Sequence, residues 1–370
     1  MPEKLRIAVD VRDLRIAKTG ARTYLAELIR EFKIRNSADV QFFFYDTEIT
    51  VYTGRNKFLK LVEHIRFFFW KQIQLPFKAA ADRCDIVFCT DYFVPVIHWR
   101  YKTVVVFHDA FFFEYPGHYN KLWLFLFKTL GISAAKKSLA VVTPTHYTKK
   151  RIAELSGIPG EKIRVIYEGP KTFETSANTR NLSIADAKNY LLHVGTMEKR
   201  KNIINLLKAF KLLLQDHPGI KLVLIGQFSP KTTIDDRAGI LNYISDNDLN
   251  EQVILSGYVD DAELNAWYQN ALAYVFPSLN EGFGIPVLEA FRAGIPVLVA
   301  DNSCLPEVGG DAVLTFDPYQ PADIYQKLHT VLTDKNLQQD MIRKGNERLE
   351  LFNWKNTADQ LIILFKEISN

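Results

Sequence analysis

The sequence predicts an α/β protein of two domains, each a parallel sheet covered on both faces by helices. Three observations carry that expectation. At 370 residues the chain exceeds one ordinary core. Short, nearly continuous apolar runs alternate with helical patterns, as in parallel sheets buried on both sides. A polar, aromatic-poor stretch, PKTFETSANTRNLSIADAK at 170–188, separates two such series and reads as an interdomain linker.

In the first series, LRIAVDV (5–11) and VQFFFY (40–45) read as strands, with a helix near 21–34 between them. CDIVFCT (84–90) and TVVVFHD (103–109) are further short apolar runs that end in polar residues. A helix is expected over 120–140, a strand over 138–145, a helix over 146–157, and KIRVIYEG (162–169) closes the set. The second series opens at YLLHVGT (190–196) and continues with a helix at 202–214, KLVLIGQ (221–227) and a helix at 235–246. Then follow QVILSGYV (252–259), a helix at 261–269, LAYVFPS (272–278), a helix at 286–293 and PVLVA (296–300). A strand near 312–316 and helices from 321 onward complete it, with a break near Asn353 and Trp354. In such an arrangement a ligand is expected beyond the C-terminal ends of the strands, in the cleft between the domains.

Composition excludes several classes of partner. The formal charge of +4 comes without a dominant basic block, so nothing argues for nucleic acid. Cys84, Cys89 and Cys304 have neither zinc-site spacing nor the density of a disulfide scaffold, which points to a reducing, cytoplasmic compartment. The start, MPEKLRIAVDVRD, enters a strand without the apolar core of a secretory signal. No charge-free run is long enough to span a bilayer. Aromatic content is high, with 26 phenylalanines, and much of it lies near residues 64–78 and 120–131 among Lys60, Arg66, Lys71, Lys78, Lys121 and Lys128. Two readings stay open: a surface that sits on an anionic membrane, or a Phe-rich core with solvated lysines.

The densest chemistry is FPSLNEGFGIPVLEAFRAGIPVLVA (276–300): a strand, a glycine-rich loop with Glu281, a helix carrying Glu289, and a second strand. Glycines allow close approach of the backbone, and a helix N-terminus favours an anion. Two carboxylates in such a place suit hydroxyls, so a nucleotide sugar fits both parts. Gly195 and Thr196 end a strand, and the basic run Lys199, Arg200 and Lys201 follows at the turn into a helix, where it suits a diphosphate. His108 ends an apolar strand; it is either structural or a hydrogen-bonding partner of a sugar hydroxyl or backbone group. Thr19 and Gly20 form one glycine turn, without the GxGxxG of a dinucleotide site. Gly226, Gly257 and Tyr258 end two more strands, positions that often border a nucleotide base. The segment Pro306–Gly310 is either a packing turn or a ligand contact. No HExxH, GxSxG, P-loop, paired-cysteine or DxD arrangement is present at a strand end, and Asp235–Asp236 and Asp260–Asp261 read as helix starts. No metal and no cofactor beyond the co-substrate is implied.

These stations resemble those of the retaining glycosyltransferases of family 4, whose GT-B fold sets two Rossmann-like domains facing a cleft. The resemblance covers almost the whole chain. EGFGIPVLEAFRAGIPVLVA is similar to the most specific signature. HVGTMEKRKN resembles the version carrying EPRKN, with Lys199 where Pro is usual. VVVFHDAFF, VVTPTHYTKK and LSGYVDDAELNAWYQNA resemble further stations.

The resemblance implies an acceptor-binding domain at 1–172, a nucleotide-sugar-binding domain at 186–350, and a final helix at 351–370 that packs back on the first domain. It implies that Glu281 touches donor-sugar hydroxyls, and that Gly282, Phe283 and Gly284 turn N–H groups toward the sugar or diphosphate. Glu289 would hold ribose hydroxyls, Arg200 and Lys201 would neutralise the leaving diphosphate, Gly20 would line the same pocket, and His108 would sit beside the transferred sugar. In the N-terminal loop, TGARTY, Arg22 stands where many relatives have a second glycine, so its part in donor binding stays open. Neither glutamate is implied as a covalent nucleophile; attack on the face the leaving group departs from, with retention, is expected.

The subgroup resembled is that of mannosyltransferases of O-antigen and exopolysaccharide assembly. The expected donor is GDP-mannose, the acceptor a glycan or polyprenyl-linked oligosaccharide, and the place of action the cytoplasm, at the inner face of its membrane. A UDP-sugar donor, a soluble acceptor, a non-catalytic nucleotide-sugar-binding scaffold and a sugar-nucleotide epimerase are the alternatives.

Overall fold

The computed structural model describes residues 4–369 except 18–19, 53, 55, 98, 174–188 and 230–233. Most of the expected linker therefore lies outside the described residues. The chain divides into two compact units, Met1–Glu168 with Asn353–Asn370, and Gly169–Phe352.

In the first unit, β1 (Leu5–Asp10), α1 (Gly20–Ile34) and β2 (Val40–Tyr45) are followed by one long helical stretch. That stretch comprises α2 (Lys57–Phe69), a π turn (Trp70–Gln74) and α3 (Leu75–Ala81). Then come β3 (Ile86–Cys89), β4 (Lys102–Val106), α4 (Phe111–Glu114) and α5 (Lys121–Leu126). A second π turn (Phe127–Gly131) leads to α6 (Ile132–Lys137), β5 (Ala140–Thr143), α7 (His146–Ser156) and β6 (Ile163–Val165). The sheet is parallel in the order β2-β1-β3-β4-β5-β6.

Its strands alternate into two buried faces. Ala8, Val87, Val105 and Val141 pack with Trp70, Phe107 and Phe127. Ile7, Val9, Ile86, Phe88 and Val104 pack with Tyr24, Leu28, Phe32 and Phe365. A period of two with both faces covered is what makes these strands read as unbroken apolar runs. The expected helix over 120–140 is real in outline, but the π turn divides it and Ser138 already lies beyond its end.

The second unit repeats the grammar. It holds β7 (Tyr190–Val194), α8 (Ile203–Leu213), β8 (Lys221–Ile225), α9 (Arg237–Asp246), β9 (Val253–Gly257) and α10 (Asp261–Asn270). After these come β10 (Ala273–Phe276), α11 (Ile285–Arg292), β11 (Val297–Ala300), α12 (Leu305–Gly309) and β12 (Val313–Phe316). Helices α13 (Pro321–Thr333) and α14 (Lys335–Leu349) follow. The parallel order is β12-β11-β10-β7-β8-β9. The Asp260 side chain accepts the Glu263 N–H and starts α10 as expected, whereas Asp236 stands at the N-terminus of α9 without a side-chain cap bond.

The last helix, α15 (Trp354–Ser369), belongs to the first unit. Phe365 meets Phe88 edge-on at 5.3 Å, and Trp354 meets Tyr24 at 5.6 Å. The Thr357 hydroxyl donates to the Tyr167 carbonyl (2.7 Å), and Arg35 pairs with Asp359 (2.6 Å). All three cysteines are buried free thiols. Among the described residues no helix is long and apolar enough to cross a membrane.

Candidate active site

In the second sheet the chain runs outward one way from β7 to β8 and β9, and the other way from β10 to β11 and β12. The loops leaving β7 and β10 therefore diverge, and the crevice at such a switch point is where open parallel sheets bind ligands. Both loops carry expected site residues: Gly195–Asn202 after β7 and Pro277–Gly284 after β10. They are tied together by the Leu279 N–H, which donates to the Arg200 carbonyl (2.8 Å). The Asn202 amide donates to the carbonyls of Pro277 (3.2 Å) and Pro318 (2.7 Å). Asn202 has φ 57°, a left-handed conformation that asparagine tolerates.

At the centre is one carboxylate with three donors on one oxygen. Glu281 Oε1 accepts from Arg200 Nη1 (2.7 Å), Lys201 Nζ (2.6 Å) and the Ser278 hydroxyl (2.6 Å). Arg200 Nη1 also donates to the Asn280 carbonyl (2.6 Å), and Nη2 lies 3.7 Å from Glu198. Oε2 of Glu281 receives none of the three bonds. Burial by itself would raise the Glu281 pKa, but Arg200 and Lys201 outweigh it and hold the carboxyl at about 2. It is thus an ionised acceptor, unsuited to general acid catalysis. Lys201 is 7% exposed and its Nζ lies 4.8 Å from the Phe276 ring centroid; burial moves its pKa down against the pull of Glu281.

Behind this cluster Gly284 has φ 98° at the N-terminus of α11 and lends that helix no side-chain cap. Phe283 is buried, its ring edge-on to Phe352 and its carbonyl accepting from the Cys304 thiol. Gly282 is buried as well. Glu289 sits in the second turn of α11, where Oε2 accepts from the Tyr268 hydroxyl (2.9 Å) and burial raises its pKa.

The glycines that end strands have a packing reason of their own. A Cβ on Gly226 (φ 142°) would lie 1.9 Å from the Gly195 carbonyl oxygen, so β7 and β8 pinch together just where their loops depart. Gly257 (φ 70°) accepts the Gly226 N–H (2.8 Å) and has no atom within 4 Å of where a Cβ would stand. Tyr258 is 74% exposed.

His193 was not singled out from the sequence. It is fully buried at the end of β7, its Nδ1 bonds to the Val275 carbonyl (3.0 Å), and Nε2 has no partner. A Cβ on Gly195 would touch both that Nε2 (3.3 Å) and Lys201 Cε (3.4 Å), so the imidazole lone pair lies alongside the lysine stem. Burial lowers its pKa to about 4. The one available signal was a histidine inside an otherwise apolar strand.

The remaining expected residues lie in the first unit. Gly20 opens α1, exposed, and Arg22 is exposed; Thr19 lies outside the described residues. His108 follows β4 with both ring nitrogens engaged, Nε2 at 3.0 Å from the Thr90 carbonyl and Nδ1 at 3.3 Å from Glu168. Both partners are acceptors. Burial disfavours the charged ring, yet Glu168 wins and the pKa is raised. Both ring nitrogens are thus engaged within the first unit, and the backbone partner at Nε2 is one of the alternatives the sequence left open.

The first sheet's own switch point lies between β1 and β3, and there Lys71 bridges Asp10 and Asp91 at 2.5 Å each. Asp10, Cys89 and Asp91 are close enough to suggest a metal site. The donor set argues otherwise: an ammonium already sits between the carboxylates, and burial pushes the Cys89 thiol well above its usual pKa. Lys71, read from the sequence as a surface lysine, is 1% exposed because the π turn points it and Trp70 inward.

Comparison with known proteins bears on the family and the fold. Residues 19–172 match the family described as Glycosyltransferase Family 4, and residues 175–348 match Glycosyl transferases group 1. O-antigen chain mannosyltransferase B of Escherichia coli is 29% identical over 285 residues, covering 73% of this chain and 71% of that one. The O-antigen chain mannosyltransferase RfbU of Salmonella typhimurium is 30% identical, covering 63% and 61%. Against the serotype-specific mannosyltransferase WbdA of Escherichia coli the identity is 29%, and the match covers 74% of this chain but only 36% of WbdA. In fold, sucrose-phosphate synthase from Thermosynechococcus elongatus superposes with TM-score 0.75 at 19% identity, covering 99% of each chain. HepE of Anabaena, in complex with UDP and glucose, gives 0.70 at 15% identity, covering 98% and 99%. With one family matched in each half and two parallel six-stranded sheets beneath them, the chain belongs to the family 4 glycosyltransferases of GT-B fold.

Proposed function

We propose that the chain is a retaining hexosyltransferase that moves mannose from GDP-mannose to a glycan or polyprenyl-linked oligosaccharide. The observation that carries the catalytic part is the pair Arg200 and Lys201 converging on Glu281 Oε1 at the switch point of the second sheet. Two cations fixed at a strand-to-helix turn, beside the N-terminus of α11, are placed to meet negative charge as it builds on a departing nucleoside diphosphate. Glu281 stays ionised, holds the cations in place and offers Oε2 to donor-sugar hydroxyls. Gly282 and Gly284 let the loop backbone come close. Glu289 takes ribose hydroxyls with the oxygen that Tyr268 does not use, while Gly195, Thr196, Gly226 and Gly257 shape the wall by backbone alone.

A carboxylate held at about 2 is a feeble base and a poor nucleophile, so the acceptor hydroxyl gives its proton to a leaving-group phosphate oxygen, on the face that group leaves. No metal takes part, because the two side-chain cations supply the charge. Gly20, at the start of α1, is the first unit's candidate for a donor contact, whereas His108 holds the Thr90 carbonyl.

Mannose is favoured by the names of the relatives, three of which are mannosyltransferases of O-antigen or serotype-specific chains. The UDP seen in HepE, at 15% identity, makes a UDP-sugar the second reading. Calorimetric titration with GDP and UDP, without added metal, separates them: tight GDP and weak UDP binding is expected. The reverse outcome would overturn the donor. Proton NMR of the product should show a retained anomeric configuration, and an inverted one would end the mechanism.

A further inference from the structure

The long helical stretch of the first unit has two faces of unequal character. Toward the sheet it buries Phe67, Trp70, Lys71 and Leu75. Outward it exposes Phe58, Leu61, Ile65, Phe69, Ile73 and Phe77, each at least 42% accessible, along about 29 Å of helix. The spacing is three or four residues throughout. The π turn at Trp70–Gln74 accommodates one extra residue per turn, so Phe69, Ile73 and Phe77 keep the outer side while Trp70 and Lys71 reach the core. Scattered apolar side chains on a surface are ordinary, but a continuous stripe of aromatics and isoleucines is not.

A second helix widens the stripe. Trp123 of α5 packs on Phe67 (5.2 Å), Phe68 (5.8 Å) and His64 (5.3 Å), which brings Leu122 and Phe125 beside α2, and both are exposed. At the far end the half-exposed Trp99 meets Phe77 edge-on at 4.8 Å.

Charge identifies the occupant. In 57–81 and 121–131 the described exposed charges are Lys60, Arg66, Lys78, Lys121 and Lys128, all cationic. The one acid, Glu63, is buried and held by Arg66 (2.7 Å) with Arg12 at 3.9 Å. A soluble partner protein of ordinary composition would not require acid to be excluded from two helices at once. An apolar stripe flanked only by cations is the pattern of a helix lying in the headgroup layer of an anionic bilayer.

We propose that the outer face of α2, the π turn and α3, with α5, is a docking surface for anionic lipid. Phe69 and Phe125 enter the acyl boundary while the flanking lysines meet lipid phosphates. The proposal stands on this surface and not on which sugar is transferred.

The test is co-sedimentation of the full chain with phosphatidylcholine vesicles, with and without phosphatidylglycerol. Binding to the anionic vesicles, weakened by salt, is expected. The pair Phe69→Ser and Phe125→Ser should reduce it at least tenfold with thermal stability and nucleotide binding unchanged, since neither ring is buried. Lys60→Glu with Lys121→Glu should reduce it by about fivefold or more per residue. Failure to bind anionic vesicles, equal binding to neutral ones, or unimpaired binding by the serine variant would overturn the proposal. So would a concentration-dependent dimer that the serine variant dissolves, because the stripe would then be covered by a second copy.

Discussion

Replacing Lys201 by Met separates the two roles that its geometry allows. The first is structural. Lys201 is one of three donors to Glu281 Oε1, and its loss leaves Arg200 at 2.7 Å and Ser278 at 2.6 Å still bonded. Breaking a buried pair outright costs about 3–5 kcal/mol. Here the carboxylate keeps two partners and Met fills the aliphatic space beside Phe276, so about 1–3 kcal/mol is the expected loss. The second role is chemical. A preorganised donor aimed at developing charge in a water-excluded site contributes about 2.7–4 kcal/mol, or a factor of about 10²–10³ in kcat.

The assay is steady-state turnover of nucleotide sugar, with thermal melting with and without nucleoside diphosphate. A kcat lowered by that factor, a smaller rise in KM and a modest loss in Tm are expected. Lys201→Arg should recover charge and part of the rate, since the guanidinium is a rigid fork in place of a mobile point charge. A Met variant that melts earlier yet turns over within about threefold of the parent would refute the reasoning. Lys201 would then be the counter-ion of Glu281 and nothing more, because the effect lacks the size assigned to transition-state charge.

Two further outcomes follow from the same loops. His193 has a folded pKa of about 4 against an ordinary 6.5, so its contribution to stability is complete above pH 6.5 and is lost as pH falls through 4. The shift corresponds to on the order of 3 kcal/mol, and His193→Asn should flatten Tm against pH across that window; an unchanged profile would mean the ring does not stay neutral in the fold. Gly226→Ala should destabilise by about 2–5 kcal/mol, since its Cβ meets the Gly195 oxygen at 1.9 Å and its φ is 142°. Gly257→Ala, with φ 70° and open space, should cost only about 1–2 kcal/mol, and equal Tm losses for the two would show that strain, not the β7–β8 pinch, sets the cost.

The strands were legible because burial on both faces leaves little choice of side chain. β10 (AYVF), β11 (VLVA) and β3 (IVFC) are buried at every position. Glu281, Arg200 and Lys201 were legible for a different reason: charge beside glycine at a strand end has few uses in a parallel sheet. What escaped is what depends on angle. A π turn changes no residue type, so nothing in WKQIQ announces that Lys71 turns inward while Ile73 turns outward. Likewise His108 reads as a strand-end histidine, and the acceptors at both its nitrogens, the Thr90 carbonyl and Glu168, come from segments remote in sequence.

The two switch points differ in charge, and that difference is why the proposed function gives the diphosphate to the second unit. In the first, one ammonium is shared by Asp10 and Asp91, and burial raises the pKa of nearby Asp13, with Lys71 pulling it down and Asp10 adding to the rise. Burial pushes Asp91 up to about 7 against the pull of Lys71, so its negative charge is already hard to hold there. An incoming phosphate would meet like charge and a lysine already shared by two carboxylates. In the second, Arg200 and Lys201 converge on a single carboxylate oxygen at the open end of a glycine-bearing loop, and the N-terminus of α11 adds its own partial positive charge. The same sheet topology thus yields a carboxylate-rich end in one unit and, in the other, an end where two cations meet one carboxylate. The difference is set by the count of carboxylates around each lysine.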